Sequence, residues 1–141
     1  MFFFNGRPAA GSSAVFEIQD TASGKMYLRL PLDDGFEFSI EFIHSVNQSP
    51  VRETFKADCG MIRPVSVRFY SFGAGMPVGS EAGQIIDRDG DALVISGFDQ
   101  SFSQLNYIVG TVSDHLLYID GEKISMTDLC GKNAHITIRI R

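Results

Sequence analysis

Apolar and polar residues alternate along most of the chain, and no long window repeats at the period of about 3.6 residues expected of a helix. The clearest stretch covers 36–55. Phe36, Phe38, Ile40, Phe42 and His44 alternate with Glu37, Ser39, Glu41 and Ile43. Val51, Glu53, Phe55 and Ala57 alternate with Arg52, Thr54 and Lys56. Successive side chains of a strand point to opposite faces. The stretch therefore reads as a β-hairpin turning at 46–49, with His44 and Glu53 on the face that carries the phenylalanines. Polar groups on such a face need partners, and each is expected to bond the other.

Shorter runs of the same kind fill the rest of the sequence. Extended segments are expected at 14–19, 25–30, 61–72, 84–87, 92–96, 101–111, 115–119, 123–124 and 134–140. In 61–72, Val65, Val67 and Phe69 share one face and Ser66, Arg68 and Tyr70 the other. Ile136, Ile138 and Ile140 share a face near the C-terminal end. Asp-Gly pairs at Asp89-Gly90 and Asp120-Gly121 suit the primed turns that close tight hairpins. One helical turn is expected at 126–129, with Ser125 as its cap. About ten short strands at regular spacing predict an all-β, single-domain antiparallel sandwich or a partly closed barrel over 14–141. Residues 1–13, rich in Gly, Pro, Ala and Ser after an apolar start, read as a flexible leader, the remnant of a signal or anchor or a local start.

Composition narrows the function classes. The chain has 141 residues, enough for a core without staples. Twelve phenylalanines, four tyrosines and no tryptophan predict a Phe-built core. A net charge of −5 without a basic run excludes a nucleic-acid footprint. The sequence contains no apolar run of roughly eighteen residues, the length a membrane-spanning helix requires. Cys59 and Cys130 sit in no Cys-x-x-Cys or zinc spacing. Two free thiols, one disulfide, or one buried and one exposed thiol all stay open.

Several motifs, in order, resemble an uncharacterised bacterial and archaeal domain family whose genes neighbour TAXI-type TRAP transporters, or whose domain is attached to one. They are His44-Ser45-Val46 followed by Ser49-Pro50-Val51 and Glu53; the glycine-rich run from Ser71 through Gly73-Ala74-Gly75 to Met76-Pro77; Val109-Gly110 with Asp114-His115; and the closing segment 124–131. The resemblance implies a small all-β, extracytoplasmic domain, commonly behind an N-terminal hydrophobic segment. It implies a periplasmic location, membrane-anchored in some full-length forms. It carries over no catalytic residue and no cofactor.

The candidate site follows from these positions. His44, Glu53, Asp114 and His115 are the imidazoles and carboxylates near strand ends, and Gly73, Ala74 and Gly75 offer backbone amides that can approach a ligand closely. One reading is a ligand pocket for a small carboxylate solute. A second is a metal site of His44, Glu53 and His115, the groups that zinc prefers. A third is a structural polar cluster with His44 bonded to Glu53. The first gives a non-enzymatic accessory domain that binds a solute or a TRAP transporter component. The second gives a metal-dependent hydrolase or isomerase with Glu53 as base. Asp87, Asp89 and Asp91 imitate a calcium loop but lack its Gly and closing Glu, and so read as a hairpin tip.

Overall fold

The computed structural model describes residues 13–45, 48–70 and 83–141. Among these, eleven strands and one short helix follow in the order β1 (Ser13–Asp20), β2 (Met26–Asp33), β3 (Glu37–Ile43), β4 (Pro50–Asp58), β5 (Met61–Tyr70), β6 (Ile85–Asp89), β7 (Ala92–Ser96), β8 (Leu105–Val109), β9 (Leu116–Ile119), β10 (Glu122–Ser125), α1 (Met126–Cys130) and β11 (Ala134–Ile140). They form two antiparallel sheets. The smaller has the order β2-β1-β11-β8, the larger β10-β9-β3-β4-β5-β7-β6. The sheets do not join into a barrel; they pack face to face as a sandwich, which settles the choice left by the sequence.

The larger sheet is organised by the β3–β4 hairpin. Its register sets Phe38 opposite Phe55, Ile40 opposite Glu53 and Phe42 opposite Val51. Strand β9 continues the pattern, with Ile119 beside Phe38 and Leu117 beside Ile40. These side chains meet the inner face of the smaller sheet, where Leu28, Leu30 and Leu32 of β2 are buried along with Ile136, Ile138 and Ile140 of β11. Aromatic rings join the layers. Phe16 of β1 contacts Phe38 edge-on, with ring centroids 4.9 Å apart, and Phe38 stacks on Phe55 at 5.4 Å. Both geometries suit the ring quadrupole.

Strand β5 carries one irregularity. Thr54 pairs with Ser66 but Phe55 with Pro64, so Val65 is the extra residue of a bulge. Pro64 has no N–H to give to the ladder, and a bulge is where a strand tolerates that. Val67 and Phe69 still stand opposite Glu53 and Val51 on the inner face.

The Asp120-Gly121 turn closes its hairpin as expected, whereas Asp89 stays in β6 opposite Ala92 and Gly90 alone of that pair has positive φ, 63°. Asp120 and Gly121 both have positive φ, 51° and 75°, as a primed two-residue turn requires. Ser125 caps α1, its side chain accepting from the Asp128 amide. The expected run at 101–111 is shorter: only Leu105–Val109 forms a strand of the smaller sheet. Phe102 instead bridges Ile62 as the chain crosses from one sheet to the other. On the outer face of the smaller sheet, Glu17 is buried beneath the side chains of Arg141 (2.5 Å) and Arg29 (3.7 Å). Cys59 and Cys130 form no disulfide; the first is exposed and the second half-buried. The expected leader lies outside the described residues, except Ser13, which begins β1.

Phe38 is 1% exposed and touches rings from both layers. Phe38→Ala should cost about 3–5 kcal/mol in urea or thermal unfolding. Ile85→Ala, on the exposed strand β6, should stay within about 0.5 kcal/mol. Equal losses at the two positions would contradict this core.

Candidate functional site

The chemistry-bearing residues gather at the sandwich end where β3, β8 and β9 approach one another. The chain leaves β8 at Gly110, whose φ of +70° favours glycine, and a Cβ there would lie 2.7 Å from Thr127 Oγ1. The glycine brings its amide to the His115 ring: Gly110 N–H donates to His115 Nδ1 at 3.1 Å. An acceptor Nδ1 places the ring proton on Nε2, so the imidazole is a neutral donor. Burial pushes the His115 pKa below its ordinary value, and the neighbouring Asp114 charge pulls partly the other way. The ring is clamped by Phe42, stacked at 5.4 Å, and by Tyr107, edge-on at 6.0 Å.

Asp114 does structural work. Its carboxylate accepts from Ser125 Oγ and from the Thr127 amide at 3.0 Å. Burial pushes its pKa up, but these hydrogen bonds outweigh it and hold the group below the usual carboxylate range. The Met126 amide donates to the His115 carbonyl at 2.9 Å. Residues 114–115 are thus fastened to the first turn of α1, which fixes the histidine from behind.

Glu53 faces the interior, as the alternation predicts, but its partner is not His44. Tyr107, reaching across from β8, donates its hydroxyl to Glu53 Oε1 at 3.3 Å. Register explains the difference. Glu53 stands opposite Ile40, whereas the His44 amide bonds the Ser49 carbonyl beyond the end of β3. Four residues of strand, about 13 Å, separate the two positions. Burial raises the Glu53 pKa, and the Tyr107 bond lowers it by less. Burial, then the Glu53 charge, drives the Tyr107 pKa far above its ordinary value.

His44 and His115 both line one open pocket of about 350 Å³. Phe42, Ile43, Ile108 and Val112 give it apolar surface, and Ser45, Thr111 and Ser113 line it with hydroxyls. Ser113 Oγ also accepts from the Ile43 amide at 3.3 Å, tying the two walls together. Glu53 and Asp114 do not line this pocket. The three groups of the metal reading therefore do not converge. Among the described residues, the side chains close enough to share an ion are Asp34 of the β2–β3 connection with Asp58 and Cys59 where β4 turns into β5. Asp58 already bonds Arg63 at 3.1 Å, and it raises the Cys59 thiol pKa, first by hydrogen bonding and then by charge. Gly73, Ala74 and Gly75 lie outside the described residues.

Tyr107 and the Gly110 amide are the functional groups the sequence reading missed. Leu105, Tyr107 and Val109 alternate onto the inner face, and a tyrosine there needs a partner for its hydroxyl. That signal was present in the sequence.

Fold and site together define a two-sheet β domain with a small, half-apolar pocket at one end. A family model described as a domain of unknown function (DUF1850) matches residues 38–126, more than half of the chain, and the chain belongs to that family. Neither a curated protein nor a solved structure matches it.

Tyr107→Phe should cost about 1–3 kcal/mol near neutral pH by leaving the inward carboxylate without its donor. The Glu53 pKa is raised, so in the wild type this group's contribution is intact below the unfolded value of 4.5 and falls as pH rises through the folded value. Losing the Tyr107 bond raises the folded value further, so the loss in Tyr107→Phe should be smaller at pH 4 than at pH 7. Glu53→Gln should remove the wild-type decline over that window. Denaturation at a series of pH values checks both, and curves parallel to wild type would contradict the assignment.

Proposed function

We propose that this chain is a non-enzymatic binding module, extracytoplasmic, that serves a TRAP-type uptake system by holding a small carboxylate solute, or a transporter component's carboxylate, in the pocket of His44 and His115. The observation that carries the reading is the fixed His115 ring. Its Nδ1 is used by a backbone amide, which leaves Nε2–H as a preorganised donor beside a concave, half-apolar surface. A donor held in one tautomer suits recognition of an acceptor oxygen. It does not suit general-base work, because the nitrogen that could take a proton is occupied. The TRAP and extracytoplasmic parts rest on the resemblance carried by the His44-Ser45-Val46 and Ser49-Pro50-Val51 motifs.

The protonation state sets the pH behaviour. Protonated His115 would turn Nδ1 into a donor facing the Gly110 N–H, and burial already disfavours that form. A His pKa below the ordinary 6.5 means that the neutral ring is held through and above neutrality. The His115 contribution to carboxylate binding should therefore stay constant as pH rises through the neutral range and change only on acidification. This differs from a site built on a protonated imidazole, which weakens as pH rises through about 6.5.

Calorimetric titration with succinate at several pH values, using wild type and His115→Phe, tests the proposal. The phenyl ring keeps the stack on Phe42 and removes the donor. Binding about tenfold weaker in His115→Phe, by a ratio that stays constant across neutral pH, is expected. Equal affinity in the variant, or no binding by the folded wild type, overturns the pocket assignment.

A further inference from the structure

A second cluster lies on the opposite side of β4, on the outer face of the larger sheet. The register sets Arg52 of β4 directly opposite Arg68 of β5. Like charges so placed repel each other, and the two side chains find separate partners. Arg52 lies over the Tyr118 ring, its guanidinium carbon 4.1 Å from the centroid. Arg68 binds Asp89 at 2.7 Å. Between them is a hollow of about 200 Å³, lined by Glu41, Pro50, Arg52, Arg68 and Tyr70.

The surroundings of the hollow add donors, and its acids are Glu41 in the lining and Asp89 on Arg68. In the next cross-strand row, Ser39, Thr54, Ser66 and Ser96 present hydroxyls from four adjacent strands. Ser39 and Thr54 already bond each other at 2.8 Å. Glu41 stands opposite Arg52 in the register, yet Arg52 makes no ion pair among the described residues; its contact is the aromatic ring. Guanidinium groups present planar forks of N–H donors that match carboxylate and phosphate oxygens. Two arginines face each other across the hollow with Glu41 in its lining and Asp89 on Arg68, so the guanidinium left without a carboxylate partner among the described residues is that of Arg52.

From this juxtaposition we propose that Arg52 and Arg68 form an anion-binding site on the outer face of the larger sheet, for a ligand bearing a carboxylate or phosphoryl group. The anion pairs with Arg52, whose guanidinium has no carboxylate partner among the described residues, and adds a second acceptor to Arg68 beside Asp89. Bidentate contacts give the recognition, and the hydroxyl row accommodates the rest of the ligand. The site is separate from the end pocket: its residues alternate with inward ones along β4, where Glu53 follows Arg52.

The test uses the whole chain with inorganic phosphate and, separately, succinate, at constant ionic strength set with sodium chloride. Saturable shifts of the Arg52 and Arg68 side-chain Nε–H signals in NMR spectra are expected with at least one probe. The probe that acts identifies the phosphoryl or the carboxylate source. Arg52→Gln and Arg68→Gln should each weaken that binding by about tenfold or more. Arg52→Gln should stay folded and melt close to wild type without anion, because the lost ring contact on Tyr118 and the removed repulsion of Arg68 act in opposite directions. Shifts from neither probe, shifts that sodium chloride reproduces, or unchanged affinity in both variants would overturn the site. Because the two arginine signals report this face alone, the outcome is independent of whether His115 binds succinate.

Discussion

Pairing Phe38 with Phe55 and Ile40 with Glu53 in one antiparallel register decides which side chains of the central hairpin meet the second sheet. Strands β9 and β5 flank this hairpin and take their facing from it, one through Phe38–Ile119 and the other through Glu53–Val67. A slip of one residue in this pairing would turn one arm over, sending Phe38 and Ile40 to solvent if β3 moves or Arg52 and Thr54 to the interior if β4 does. The first would also break the Phe16–Phe38 contact between the layers, and the second would carry Glu53 away from the Tyr107 hydroxyl. The core, the inward acid and the outward arginines thus depend on the same register. The bulge at Val65 falls where β5 needs to absorb Pro64, and the pairing resumes beyond it with the same residues inward.

The end pocket depends on a second constraint, the bend at Gly110. A positive φ turns the chain out of β8, and the absence of a side chain lets it pass Thr127. The same residue presents its amide to His115 and thereby chooses the tautomer. Asp114 anchors the next step to the helix cap through Ser125 and Thr127. The histidine is consequently held from three directions: a backbone donor at one nitrogen, aromatic rings on its face and edge, and a helix turn behind its carbonyl. A ring fixed this way loses little freedom when a ligand arrives, which is the advantage of preorganisation in binding.

Strand positions and facing were legible in the sequence because period-two alternation and Asp-Gly turns are local signals. The pairing of His44 with Glu53 was not legible from facing alone. Two residues can share a face and still be four positions out of register, and here His44 meets Ser49 while Glu53 meets Ile40. The partner of Glu53 comes from the other sheet, 54 residues away in sequence. Alternation places Tyr107 inward, but no local pattern says which inward residue of the facing layer it reaches. Asp114 and His115 were singled out as neighbours in sequence, yet adjacent residues point in different directions. One caps α1 and the other lines the pocket. The choice between sandwich and barrel also rested on non-local pairing, since only the assembled strand order shows that the two sheets have separate edges.

Strand β4 illustrates how a thin sheet keeps incompatible chemistry apart. Arg52 and Glu53 are consecutive, but alternation sends the cation to the outer face and the acid between the layers. Placed on one side they would pair, and neither would be available for other partners. Separated, the acid takes a neutral donor, Tyr107, and the cation takes an aromatic ring, Tyr118. Both substitutes are weaker than a desolvated ion pair and demand less exact geometry. The inner contact links the sheets, while the outer one leaves the guanidinium with N–H groups not committed to a carboxylate. A single strand thereby serves cohesion on one face and, in the anion site proposed above, recognition on the other, and the division follows from the pleat itself.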